Sequence, residues 1–426
     1  MLGGRIPSGD SAGAAPAWVG VPRILTFTTL YPSSVAPSHG VFVENRLRHL
    51  TASGRVSARV VAPVPWFPSA APIFGRYARY AEVPRREERF GLAIEHPRYP
   101  VLPKLGMSLA PLLLFLATLP ALRRLRDAQD FDLIDAHYFY PDGIAAALLG
   151  RALGKPVAIT ARGTDINLIP QHGLPRRMIR WAGTQAAGMI AVSEALRRAM
   201  IGLGLPAQHI RTLRNGVDLT MFQPTARDAT RQRLGLAGPV LLSVGHLIER
   251  KGHHRVIGAL AKLPHHTLLI AGEGPERGSL EAQATRDGVG ARVRFLGPVP
   301  HGELAPIYSA ADALVLASSR EGWPNVLLEA MACGTPVVAS NVWGAPELVC
   351  DPVAGMLMPA LSIDGVIAGI ETLFAALPAR AATRRFAERY SWDETTAGQL
   401  QLFTEMLATR GTAALPAATA LREPVL

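Results

Sequence analysis

Two acidic side chains, Glu321 and Glu329, stand eight positions apart in the stretch SSREGWPNVLLEAMACGTPVVAS, residues 318–340. Glu329 lies among Val326, Leu327, Leu328, Ala330 and Met331, where a carboxylate is costly to desolvate without a hydrogen-bonding partner. Taken alone, it reads equally as a salt-bridged helix residue. A second chemical group is the cation pair Arg250–Lys251, preceded by Gly245 and followed by Gly252. At a helix start such a pair can neutralise a diphosphate, aided by helix amides and dipole, or it can be a solvated surface pair. A third is His137, at the end of the predicted strand in FDLIDAHYFYPDG, with Arg162 and Asp165 (RGTD) at the end of the next strand. Adjacent strand ends of an α/β sheet open on one crevice. Gly40, ahead of a helix predicted to begin near Phe42, suits a close backbone approach to phosphate or a plain turn.

The elements that must position these groups are legible as short apolar runs. Ala313–Ala317 and 336–339 read as strands flanking a helix, with Pro324 at its first position and Gly334 just past its end. Strands are also predicted at 23–28, 55–63, 131–136, 156–161, 188–192 and 210–213, and then at 240–244, 267–271 and 293–297. Helices are predicted between them, one capped by Ser193, one at 301–311, and a last one from Trp392 to about residue 408. Residues 65–89 read as a Pro-rich, basic connection, and 225–238 as irregular interdomain chain.

At 426 residues, 49% apolar and 18% charged, the chain exceeds one ordinary domain and is not a disordered protein. Two cysteines, Cys333 and Cys350, give neither a disulfide framework nor a clustered metal site, which fits a reducing cytosol. No DxD-like acidic cluster is present, so no metal is expected. Met1–Asn215 holds 26 Lys and Arg against 13 Asp and Glu, whereas the remainder holds 18 against 20. A basic first half suits an acidic partner. With no nucleic-acid module in the sequence, anionic lipid headgroups or a phosphate-bearing acceptor are favoured over nucleic acid. Residues 105–122 are apolar and uncharged, but Pro111, Pro120 and basic flanks favour a buried or interfacial helix over a span.

Glu321, seven residues, then Glu329, with Gly322, Pro324 and Asn325 after the first, resembles the motif of the retaining glycosyltransferases of family 4. The resemblance runs from Val21 to about Ala408. It implies the GT-B fold: two Rossmann-like α/β domains, here 21–220 and 221–385, facing across a cleft. Residues 386–410 would be a helix crossing back, anchored by Trp392, between a flexible leader (1–20) and tail (411–426). It further implies that Glu321 faces the donor sugar, that Glu329 binds the ribose, and that Gly322, Trp323, Pro324, Asn325 and Val326 line the donor site. The family's phosphate motif is Gly-Arg, a short gap, then Lys-Gly; here His246 stands in place of that Arg, so Arg250 or Lys251 alone must serve. Gly40 and the loop at Val299 would touch the donor through main chain. HYFYPDG also resembles a branch that builds bacterial surface polysaccharides, teichuronic acid among them, and gives His137 a site role, with Arg162 and Asp165 on the acceptor or sugar side.

The implied activity is retaining, metal-independent hexosyl transfer from a nucleotide-diphosphate sugar to a glycan or lipid-linked acceptor, with no cofactor. The leaving phosphate would help to deprotonate the acceptor. The implied place is the cytoplasm, peripheral on the inner face of the plasma membrane. Two alternatives stay open: a sugar-nucleotide epimerase, whose acid/base pair this sequence matches poorly, and a non-catalytic binding subunit at the membrane.

Overall fold

Apolar runs bounded by Gly, Pro or Asp become parallel strands buried on both faces. A computed structural model describes residues 20–101 and 106–413. The predicted tail beyond residue 413 and the leader before Gly20 lie outside the described residues. The first sheet contains β1 (Arg23–Phe27), β2 (Ser57–Val61), β3 (Arg86–Arg89), β4 (Leu92–Glu95), β5 (Leu133–His137), β6 (Val157–Ala161), β7 (Gly188–Ala191) and β8 (Ile210–Thr212). Its order is β8-β7-β6-β5-β1-β2-β4-β3, parallel except for the edge strand β3. The second contains β9 (Val240–Val244), β10 (Thr267–Ala271), β11 (Val293–Gly297), β12 (Ala313–Leu316), β13 (Val337–Ser340) and β14 (Gly355–Met358), in the all-parallel order β11-β10-β9-β12-β13-β14.

Each sheet is therefore doubly wound, the α/β class the sequence predicts. Strand order reverses between β1 and β5 in the first sheet and between β9 and β12 in the second. Ligands of such sheets bind outside the carboxyl ends of the strands at those two points.

The helices the site depends on are α1 (Val41–Ala52), α2 (Gly106–Ala128), α3 (Ile144–Leu153), α4 (Glu194–Gly202), α5 (Arg227–Arg233), α6 (His253–Ala259), α7 (Asn325–Ala332), α8 (Ala345–Leu348) and α9 (Trp392–Ala413). Ser193 caps α4 as expected, its hydroxyl accepting from the Leu196 N–H at 3.2 Å. Three local expectations are corrected. Pro324 caps α7 from outside instead of opening it. Residues 225–238 contain α5, a polar helix held by Arg227 and Arg231 pairing with Asp312. Residues 65–89 are not only connection, because Arg86–Arg89 pairs with β4.

The last helix returns to the first sheet. Phe403 is fully buried there with Leu400, Leu402 and Met406. The Gln399 side chain donates to Asp135 at 3.1 Å and accepts from Arg46 at 3.0 Å. Trp392 stacks on His49 of α1, ring centroids 5.3 Å apart. The two inter-lobe crossings run side by side, the Val217 N–H donating to the Tyr390 carbonyl at 2.9 Å.

Candidate active site

In the second lobe, the loops after β9 and β12 leave adjacent strands where the strand order reverses, so Lys251 and Glu321 meet although 70 residues apart. Gly252 makes the close fit possible: its φ is +73°, and a Cβ there would be driven into the Ala317 carbonyl at the end of β12. The two loops then join, the Ser319 N–H donating to the Arg250 carbonyl and the Arg250 guanidinium to the Arg320 carbonyl, both at 2.8 Å. Lys251 Nζ lies 2.7 Å from Glu321 Oε1, and Arg250 Nη1 lies 3.6 Å from the same oxygen. Burial alone would raise the Glu321 carboxyl pKa, but Lys251 and then Arg250 outweigh it and hold the pKa below the ordinary value.

Nine of the residues singled out in the sequence line one inter-lobe cavity of about 300 Å³: Arg162 from the first lobe, and Arg250, Lys251 and Glu321 to Val326 from the second. Arg162 donates through Nη1 to Asn215 Oδ1 at 3.1 Å, Asn215 donates to Asn325 Oδ1 at 3.2 Å, and the Trp323 indole N–H donates to the Asn215 carbonyl at 3.0 Å. Asn215 is thus the polar link between the lobes. It is not singled out as a site residue from sequence, although it closely follows a strand end, as His137 and Arg162 do.

Other predicted residues sit elsewhere. His137 is 1% exposed and lies behind Arg162 instead of lining the cavity. Its Nε2 is 3.2 Å from Asp135, and its Nδ1 accepts from Arg162 Nη2 at 2.7 Å, which fixes the neutral tautomer. Asp165 is fully buried, accepting from the backbone N–H groups of Phe139 (2.8 Å) and Gly163 (2.7 Å), so it ties two strand-end turns together and does not face a ligand. His246 is exposed, and neither it nor Val299 lines the cavity. Gly40 is buried between the lining residues Leu30 and Phe42, where its missing Cβ lets Leu30 pass. Glu329 is one helical turn beyond Asn325 and Val326 on the same side of α7. Both its oxygens are engaged, by His301 Nε2 at 2.9 Å and by the Tyr308 hydroxyl at 2.8 Å. Neither partner was legible, because each lies on a different element more than 20 residues away. Burial lowers the His301 pKa, but the charge of Glu329 and the hydrogen bond to it more than compensate and raise it.

Burial pushes His137 down to about 4, Asp135 opposing and Arg162 reinforcing the shift. The unfolded imidazole titrates near 6.5, so between there and about 4 the unfolded chain binds the extra proton and the folded chain does not. Stability is therefore lost as pH falls through that window, by about 2 kcal/mol from about pH 7 to about pH 5 on account of this group. Urea unfolding at the two pH values should show a smaller drop for His137→Gln than for the wild type. Equal drops would mean that His137 is not held neutral.

The family model described as Glycosyltransferase Family 4 matches residues 77–221, and that described as Glycosyl transferases group 1 matches 226–389. A putative teichuronic acid biosynthesis glycosyltransferase, TuaC of Bacillus subtilis (strain 168), is 30% identical over 335 residues, covering 76% of this chain and 82% of the relative. The chain is a family 4 glycosyltransferase. D-inositol 3-phosphate glycosyltransferase 1 of Catenulispora acidiphila is 33% identical over 300 residues, 63% of this chain and 71% of that one. The glycosyltransferase has the GT-B fold of its structural neighbours. Sucrose-phosphate synthase from Thermosynechococcus elongatus superposes with a TM-score of 0.72 at 21% identity, covering 91% of this chain and 99% of that one. Anabaena Alr3699/HepE, solved in complex with UDP-glucose, gives 0.65 at 21% identity over 92% of this glycosyltransferase and 99% of its own chain.

Proposed function

We propose that the protein transfers a hexose from a nucleoside-diphosphate sugar, with retention at the anomeric carbon and without a metal ion, to a glycan or lipid-linked glycan of a cell-surface polysaccharide. The reading rests on one cavity in which Lys251 and Arg250, the carboxylate of Glu321 and the N-terminal turn of α7 face Arg162 across the lobes. An arriving diphosphate competes with Glu321 for the two cations. As the bond to the sugar breaks, they neutralise the charge developing on the leaving phosphate. Glu321, released from Lys251, turns to the hydroxyls of the hexose, while Glu329, held by His301 and Tyr308, meets the ribose.

Among the described residues lining the cavity, Glu321 is the one carboxylate, and it is ion-paired. That favours front-side displacement, the leaving phosphate oxygen taking the acceptor proton, over a covalent glycosyl intermediate. The acceptor enters from the first lobe. A second cavity of about 360 Å³, lined by Tyr31, His39, Arg79, Tyr80 and Tyr99 among others, shares Leu30 with the first. The basic first half of the chain and the partly exposed α2 support a peripheral position on the cytoplasmic face of an anionic membrane.

Nucleoside diphosphate release from a panel of UDP-, GDP- and ADP-sugars, with acceptors and with EDTA, tests this reading. One donor should turn over undiminished by EDTA, and proton NMR should show the donor's anomeric configuration in the product. An inverted product would remove the proposed geometry. Donor binding without turnover on any acceptor would favour a binding subunit.

A further inference from the structure

Away from the cleft, a pocket of about 350 Å³ opens between α2 and the strand-rich segment 85–98. Arg85, Arg86, Arg98 and Arg124 line it, with Glu95 as the one carboxylate. Glu95 is taken by Arg86 at 3.0 Å. Among the described residues no ion pair reaches Arg85, Arg98 or Arg124. Arg98 donates one guanidinium nitrogen to the Val83 carbonyl, while its buried Nη1 has no hydrogen-bond partner among the described residues. Burial and the charge of Arg85 both lower the Arg98 pKa. A cluster of like charges around an orphaned buried donor is what a bound anion would relieve.

The walls of this pocket also carry apolar side chains outward. The most apolar 18-residue window of Ser108–Ala128 in α2 has a mean hydropathy of 1.4, yet only 33% of it is buried. Leu114, Thr118 and Leu122 are fully buried on the side that packs against α3. Leu109, Leu112 and Leu116 form an exposed stripe at helical spacing, and Pro120, one turn further, is on the lip of the pocket. On the other wall, the Trp66 N–H donates to the carbonyl of Tyr99, the residue after Arg98, at 2.7 Å. Trp66 is exposed there. A cationic pocket with apolar side chains on both walls has the chemistry of a bilayer interface, where a phosphate sits a few ångströms from acyl chain.

We propose that this pocket binds the phosphate of an acidic phospholipid headgroup, with Leu109, Leu112 and Leu116 entering the acyl boundary beside it. The proposal deepens the peripheral-membrane reading and is independent of the chemistry assigned to the cleft. It gives the membrane a defined point of attachment on the acceptor-side lobe, on the wall shared through His96 with the second cavity.

Co-sedimentation with phosphatidylcholine vesicles, with and without phosphatidylglycerol, tests it in the full chain. Wild type should bind the vesicles containing phosphatidylglycerol, and Arg98→Gln/Arg124→Gln should lower the partition coefficient about tenfold or more. Arg124→Gln alone, at an exposed helix position, should lower it several-fold without risk to folding. Arg55→Gln/Arg198→Gln removes the same charge elsewhere and should bind like wild type. Nucleoside diphosphate release should be unchanged in all three variants, which keeps failure of the pocket distinct from failure of the cleft. Equal losses in the two double variants would reduce the effect to diffuse charge and overturn the pocket. So would glycerol 1-phosphate binding as tightly as the vesicles. Wild-type chain that ignores both kinds of vesicle would overturn the pocket and the membrane reading together.

Discussion

Lys251→Ala should lower kcat for transfer by about 10²- to 10³-fold, the loss expected when one preorganised donor to a developing negative charge is removed. The same substitution has a second consequence. Glu321 is 7% exposed and would keep only Arg250, 3.6 Å away, as a counter-charge. Burial would then raise its carboxyl pKa from the depressed value. A carboxylate with a depressed pKa contributes stability above its unfolded pKa and loses it as pH falls through the folded one. In the variant the folded pKa moves up toward or past the unfolded one, so that contribution shrinks or reverses: the acid limb of the rate profile moves up and neutral-pH stability falls by about 1–3 kcal/mol. Adding Glu321→Gln removes the uncompensated charge and should restore most of the stability. It should not restore turnover. Recovery of turnover in the double variant would mean that Lys251 serves only to neutralise Glu321, and the diphosphate role would be lost.

That pairing shows where sequence reasoning succeeds and where it stops. β9 and β10 were legible end to end, because strands buried on both faces are written as unbroken apolar runs. The loops after β9 and β12 were legible as site candidates because polar groups at strand ends have few other uses. The edge strand β3, REER, has no such run, and its half-exposed pattern matches a charged loop equally well. The polar helix α5 exists because Asp312, over 80 residues away, receives its arginines. Among the site residues, the order of His137 and Arg162 along the line of sight was beyond reach. Both close adjacent strands, but only side-chain direction puts the guanidinium in front and the imidazole behind it. Spacing in the chain names the candidates at a crevice; which of them meets the ligand is decided by rotamers and by partners on other elements.

Gly322→Ala is the sharper test of the cleft itself, because at this residue main chain of one lobe packs against main chain of the other. A Cβ on Gly322 would overlap the carbonyl oxygen of Arg162, and a Cβ on Gly163 would lie 3.1 Å from the Gly322 Cα. Both obstacles are main chain of the opposite lobe, which cannot turn aside as a side chain would. Around this contact the lobes are tied by Asn215 to Asn325 and by Glu347, which accepts from the Ala195 N–H at 3.0 Å and pairs with Arg214 at 2.7 Å. A methyl group at 322 should hold those ties open. Lys251, Arg250 and Glu329 all belong to the second lobe, so the Kd for a nucleoside diphosphate should change little. In the proposed arrangement, transfer needs Arg162 and the acceptor from the first lobe, and a misplacement of about 1 Å costs roughly 10²-fold in rate. Solution X-ray scattering should show a larger radius of gyration in the variant than in wild type, with little change in Tm because neither lobe's core is touched. If the rate falls while the scattering curves coincide, the Gly322 backbone acts on the sugar directly and not by letting the lobes close. If neither changes, this main-chain contact between the lobes has no part in turnover.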